Sequence, residues 1–277
     1  MKTIKREQII QVLKERGFNV CPNDVVKNGV VKKGINILNN TNIAPVIYTE
    51  ELIAHFDNVE SIADKIIEIY HAHKSINIDI ALLTNPAFIL KNVLLSLQNK
   101  SDEAIIKRDS QISGLEEYLF IGGTSSDGRW SVKLNQGIIE KAGLTIEELF
   151  VAAENNTFHS HRTKIQSMAE VMYELTGCID FIEHESDLPM YIVTNTDKHK
   201  GSINVLSTGE IREWATSIPG RPSKFVCIMS SIHEAILIPC SACPDLDMYS
   251  EMKNEVDLAE VVPEERLACS AFILSID

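Results

Sequence analysis

The chain has 277 residues, 44% of them apolar and 23% charged, which suits one large folded domain or two smaller ones and excludes a mainly disordered polypeptide. With 26 basic residues against 39 acidic ones the net charge is −13. Phosphate contacts need clustered Lys and Arg, so nucleic acid and anionic membrane are not expected partners. No apolar run approaches the roughly 18 residues of a membrane-spanning helix, and the start "MKTIKREQII" lacks the apolar core of a signal peptide. A cytoplasmic location is therefore expected, with Cys21, Cys178, Cys227, Cys240, Cys243 and Cys269 reduced.

In chain order, Ile4, Ile9, Ile10, Val12 and Leu13 predict a helix over 4–16 that Gly17 can end. Asn28-Gly29 lies between apolar segments and predicts a hairpin. "TEELIAHF" reads as a short helix. Residues 59–73 carry Ile62, Ala63, Ile66, Ile67 and Tyr70 at helical spacing, with Asp57 and Glu60 as a capping box. An apolar segment over 87–98 predicts a buried helix, and the polar "QNKSDE" near residue 100 marks a boundary between regions 1–100 and 101–277.

"YLFIGG" and "RWSVKLN" predict two strands joined by the hairpin loop "GGTSSDG". The pairs Thr145 and Glu148, Thr163 and Gln166, and Ser207 and Glu210 predict capped helices near 145–154, 163–176 and 208–217. Strands are expected at "MYIVTN", "SINVL", "KFVCIMS", "EAILIP" and "CSAFIL", with a last helix over 244–258. Strands come in short pairs without regular strand–helix alternation. The expected class is α+β, a mainly antiparallel sheet with flanking helices and an N-terminal helix–hairpin–helix region.

The segments "NGVVKKGINI", "NIAPVIYTEELI", "NVESIADKIIEIY", "LPMYIVTN" and "SSIHEAILIP" occur in this order in a bacterial family, the domain-of-unknown-function 5688 family, and from about residue 10 to the C-terminus the chain resembles a full-length member. The resemblance implies no established activity. It carries a pattern instead: the Asn-Gly hairpin, Pro45 to Tyr48, Thr194-Asn195 at a strand end, and Ser230-Ser231-x-His233-Glu234. The chain departs from that pattern at "NNTFHSHRTKI", where a more apolar, proline-containing link is expected, and Cys240 and Cys243 lie outside it.

The stretch "SSIHEAILIPCSAC" holds a histidine, a glutamate and a Pro-Cys-x-x-Cys unit. A zinc deaminase needs His-x-Glu well separated from its Pro-Cys-x-x-Cys. Here an extended 233–239 spans about 20 Å at roughly 3.3 Å per residue, so His233 and Cys240 do not meet at one ion. A structural zinc on Cys240 and Cys243 needs two more ligands, and no second Cys-x-x-Cys exists. No metal and no cofactor is expected.

A hydrolase would use Ser230 or Ser231 as nucleophile and His233 as base. Strand alternation would put Ser231 and His233 on one face, and Ser230 and Glu234 on the other, with Glu234 away from the orienting position. The glycines of "GGTSSDG" lack the Lys-Ser/Thr of a phosphate loop. His71 and His73 read as surface residues in a last helical turn, and Trp130 and Trp214 as core anchors. From Asp245 to Arg266 eight acids face two bases, a solvated helix face or a docking surface for a basic partner.

The expected function is thus that of a binding or adaptor module for an unknown protein or small ligand. Its candidate residues are Asn155, Thr194, Asn195, Ser231 and His233. A hydrolase using Ser231 and His233 is the alternative.

Overall fold

A computed structural model describes residues 4–38, 45–73, 80–125, 128–159, 162–183, 188–240 and 244–277. The protein is of the α+β class, and the described residues form three sheets built from antiparallel pairs. It forms two compact units: Met1–Asn85 with Gly122–Ser131, and Pro86–Ile121 with Val132–Asp277.

The first unit begins with α1 (Arg6–Glu15), then strands β1 (Val20–Lys27), β2 (Val30–Ile37) and β3 (Val46–Tyr48), and helices α2 (Thr49–His55) and α3 (Val59–His73). β1 and β2 pair from Val20↔Ile37 to Lys27↔Val30, and the two residues left between them are Asn28 (φ 50°) and Gly29 (φ 81°). Both central residues need positive φ in a turn that follows the strands' own twist, which is why Asn-Gly serves there. Ile9 and Leu13 of α1, Ile35, Ile37 and Ile47 of the sheet, and Ile62, Ala63 and Ile66 of α3 form one buried cluster. Asn58 caps α3, accepting from the Ser61 amide at 2.8 Å, so Asn58 provides a cap where Asp57 was expected.

The second unit starts with α4 (Pro86–Asn92) and β4 (Val93–Asn99). The helix expected over 87–98 is thus half helix and half strand. An uninterrupted apolar run carries no period that separates a buried helix from a buried strand, and pairing with a neighbour decides it. That neighbour is the long strand β6 (Leu115–Ser125), which also pairs with β5 (Lys107–Asp109) and with β7 (Gly128–Lys133). Because β4 pairs with β6 along its whole length, 93–99 lies with the second unit. Within the first unit, Gly123 sits under the Trp130 indole, where a Cβ would come within 2.7 Å of the ring.

Helices α5 (Gln136–Ala142) and α6 (Ile146–Phe158) follow, α6 with its Thr145–Glu148 capping box. α6 packs on β4, and Thr157 Oγ1 accepts from the Leu95 amide at 3.0 Å. Next come β8 (Thr163–Ser167), α7 (Met168–Thr176), α8 (Asp180–Glu183) and β9 (Tyr191–Asn195). The helix expected from Thr163 therefore starts five residues later, capped by Ser167 and Glu170, because 163–167 is claimed by pairing with β9.

The chain then makes a 3-10 turn over Gly201–Leu206, where a strand was expected from "SINVL". Its residues contact β9 and β4, and five of the six are buried, so burial rather than a ladder explains their apolar character. α9 (Thr208–Ala215), β10 (Lys224–Ile228), β11 (Ala235–Pro239), α10 (Leu246–Ala259) and β12 (Phe272–Ser275) complete the unit. The sheet order is β12-β10-β11-β9-β8. α10 covers one face through Leu246 and Tyr249, packed on Val226, Ile228, Ile238 and Ala271. On the other face Trp214 of α9 meets Tyr191 and Phe225 at ring-centroid distances of 4.8 and 6.0 Å. No helix among the described residues is long and apolar enough to cross a membrane.

Candidate functional site

Ser231 and His233 lie in the 229–234 connection between β10 and β11, not on a strand. The expected strand face is absent because the amides here bond outside any ladder. His233 N–H donates to Ser231 Oγ at 3.0 Å, Ser231 N–H to Glu234 O at 3.2 Å, and Ile232 N–H to Glu265 O at 2.9 Å. Ser230 Oγ donates to Glu234 O at 2.9 Å.

A second loop, 196–202, is pinned against this one. Thr194 Oγ1 and the Gly201 amide both donate to His233 O, at 2.8 and 3.0 Å. Ser202 Oγ donates to Ile232 O at 2.9 Å. Asn195 closes its own turn: its Nδ2 donates to His199 O at 2.9 Å and its Oδ1 accepts from His199 N–H at 3.1 Å. Thr194, Asn195, Ser231 and His233 are thereby brought together. Asn155 is exposed on α6, and its main-chain oxygen accepts from the His159 amide.

The His233 ring is engaged at both nitrogens. Nδ1 accepts from the Lys200 amide at 3.1 Å, and Nε2 stands 3.2 Å from Glu265 Oε1. An accepting Nδ1 places the neutral ring's proton on Nε2, which then donates to the carboxylate. The His199 ring lies beside it, centroids 5.2 Å apart.

Lys200 connects this loop cluster to a charged network on the face of β6. The lysine has φ 53° and donates its amide to His233, while its ammonium lies 4.3 Å from the Phe120 ring centroid and 5.4 Å from that of Tyr118. The register Leu94↔Phe120, Ser96↔Tyr118, Gln98↔Glu116 makes this face progressively more polar along its length.

At its polar end Gln98 Nε2 donates to Glu116 Oε1 at 2.7 Å, with Ser101 Oγ at 2.9 Å and Lys107 Nζ at 3.1 Å on the same oxygen. Lys133 Nζ bridges Gln98 Oε1 and Glu103 Oε2, at 2.9 and 2.7 Å. Burial alone would raise the Glu116 pKa, but donation from Gln98, Lys107 and Ser101 outweighs it and holds the carboxyl below the usual range. Apart from this network, Glu174 of α7 is held at about 2 by hydrogen bonds from Lys198 and Gln166 and by the charge of Lys164.

Sequence reasoning missed Glu265, Lys200, Gly201 and the Gln98–Glu116 network. The one local signal is "HKGS", a polar tetrapeptide separated from the end of β9 by three residues. Cys240 directly follows β11, and Cys243 lies outside the described residues. Burial pushes the Cys269 thiol up to about 11 and the Cys227 thiol well above its ordinary value, so neither is poised as a thiolate nucleophile. His71 is exposed beside Phe18 and Tyr70.

The fold and site define an α+β protein whose second unit carries two crosslinked loops beside a charged sheet face. Residues 2–274 match the model described as "Family of unknown function (DUF5688)", and the chain belongs to that family. No curated protein and no solved structure matches the chain.

Proposed function

We propose that this protein is a binding or adaptor module without chemistry of its own, acting in the cytoplasm. The observation that carries the reading is the engagement of His233. Its Nδ1 accepts a main-chain amide, its Nε2 faces Glu265, and the Ser231 hydroxyl accepts from the His233 amide. A general base must have a free nitrogen within about 3 Å of the proton it takes. Here both nitrogens hold loops in place. The free thiols of Cys21, Cys178, Cys227, Cys240 and Cys269 suit a reducing setting.

One observation favours the hydrolase reading: Glu265 gives His233 the carboxylate partner that an orienting acid would supply. That reading requires the Ser231 hydroxyl to displace the Lys200 amide from Nδ1. A broad ester and amide screen separates the two. The binding module shows no turnover that depends on Ser231. Turnover that falls about a hundredfold or more in both Ser231→Ala and His233→Ala, with both variants folded, would sink it.

A further inference from the structure

We infer that the outer face of α10 is a docking surface for a basic amphipathic helix of a partner protein; this rests on the binding-module reading and names the partner's chemistry. The helix is two-sided. Leu246, Tyr249, Lys253 and Asp257 face the protein, with Lys253 and Asp257 both buried as a pair and Lys253 also donating to Leu267 O at 2.8 Å. Outward, Met248, Met252 and Val256 are 51%, 43% and 49% exposed. They stand four residues apart and so form one row on the helix surface. Asp247, Glu251 and Glu255, also exposed and four apart, form the adjoining row.

An apolar row of this kind, two of its three members flexible methionines, fits a helix laid into it. The acidic row beside it selects what that helix carries. A second copy of this chain would set Asp247, Glu251 and Glu255 against their own like, and nucleic acid or anionic lipid would meet the same repulsion. A helix with an apolar row next to a Lys or Arg row matches both. Three other carboxylates of the acidic segment are engaged within the protein: Asp245 caps α10, Asp257 pairs with Lys253, and Glu265 faces His233. The selectivity therefore falls on the exposed row.

The test uses the full chain and a fluorescent synthetic helix of about 18 residues, five turns, with one leucine row and one adjacent lysine row. Its control has the same composition scrambled so that no face forms. Saturable binding of the patterned peptide is expected, with the scrambled one roughly tenfold weaker or worse. Met252→Ser should weaken binding about tenfold at any salt, because it removes apolar contact. The Glu251→Lys, Glu255→Lys double variant should weaken it by at least about tenfold at low salt and should bind a glutamate-row version of the peptide instead. Both variants change exposed positions, and an unchanged melting temperature shows that they fold. Equal binding of patterned and scrambled peptides, or binding indifferent to all three substitutions, overturns the inference. That failure is distinct from failure of the binding-module reading, which falls only to Ser231-dependent turnover.

Discussion

Two glycines in different units are required for opposite reasons. At the β1–β2 turn Gly29 has φ 81° and open space around a built Cβ, so the demand comes from its own backbone. At the loop cluster Gly201 carries no such φ, but a Cβ there would meet Thr194 Oγ1 at 2.4 Å, the Asn195 amide nitrogen at 2.5 Å and His233 O at 2.8 Å. The first demand is written in a dipeptide. The second is imposed by two other segments of the chain, and appears only when the fold brings them together. The hairpin is therefore a local device that tolerates repair, and the loop cluster a shared one in which an added methyl must displace main chain.

The largest expected effect tests that difference directly. Gly201→Ala should cost about 3 kcal/mol or more, because two of the atoms in the way are backbone and cannot rotate aside. Chemical denaturation of the variant measures it. An unchanged midpoint would mean that the 194, 201 and 233 segments do not pack as described, and the contrast with Gly29 would collapse.

The charged network tests whether side-chain assemblies in the second unit share this intolerance. Glu116→Ala leaves Gln98 Nε2 and Lys107 Nζ without their common acceptor, a loss of about 2–3 kcal/mol. The pH dependence has a definite sign. The Glu116 carboxyl is depressed in the folded state, so its contribution is present above the ordinary carboxylate range and is lost as pH falls through the lowered folded value. Glu116→Gln should therefore flatten the acid limb of the stability curve. A Glu116→Gln curve parallel to that of the natural protein over this range would remove Glu116 from the account.

Much of the fold was legible in the sequence where the signal is short-range. The Asn28-Gly29 dipeptide lies at the β1–β2 turn, Thr145 and Glu148 cap α6, and the spacing of Ile62, Ala63 and Ile66 gives α3 its buried face. Misreadings cluster where pairing or burial overrides local chemistry. Thr163 and Gln166 read as a capping box but form part of β8, and Ile203 and Val205 read as strand but fill a 3-10 turn. At the candidate site Thr194, Asn195, Ser231 and His233 are legible as polar residues within the segments that carry the family resemblance. Glu265 and Lys200 are not, because nothing in their neighbourhoods says that they meet His233. Asn155 lies exposed on α6.

Within the loop cluster, His233→Ala separates a structural histidine from a replaceable one. The substitution strips the Lys200 amide of its acceptor and Glu265 of its donor, and should lower stability by about 1–3 kcal/mol. Ser231→Ala should cost less, since the hydroxyl accepts from one amide, that of His233. Urea melts of the two variants side by side check the order. The reverse order would shift the weight of the cluster from the ring to the hydroxyl.

The smallest effect belongs to the turn. Gly29→Val should cost roughly 1 kcal/mol or more, because a β-branched residue is strained at φ near 80° although nothing obstructs its Cβ. Gly29→Asn should recover most of that loss, since Asn tolerates the left-handed region and already occupies it at position 28. The same rescue has no counterpart at Gly201, where any side chain meets Thr194 and the main chain of Asn195 and His233. Melting temperatures of Gly29→Val and Gly29→Asn, each compared with Gly201→Ala, measure conformational demand against contact demand in one protein. If valine and asparagine at position 29 are equally destabilising, the limit there is space, not φ, and the two glycines are not opposites.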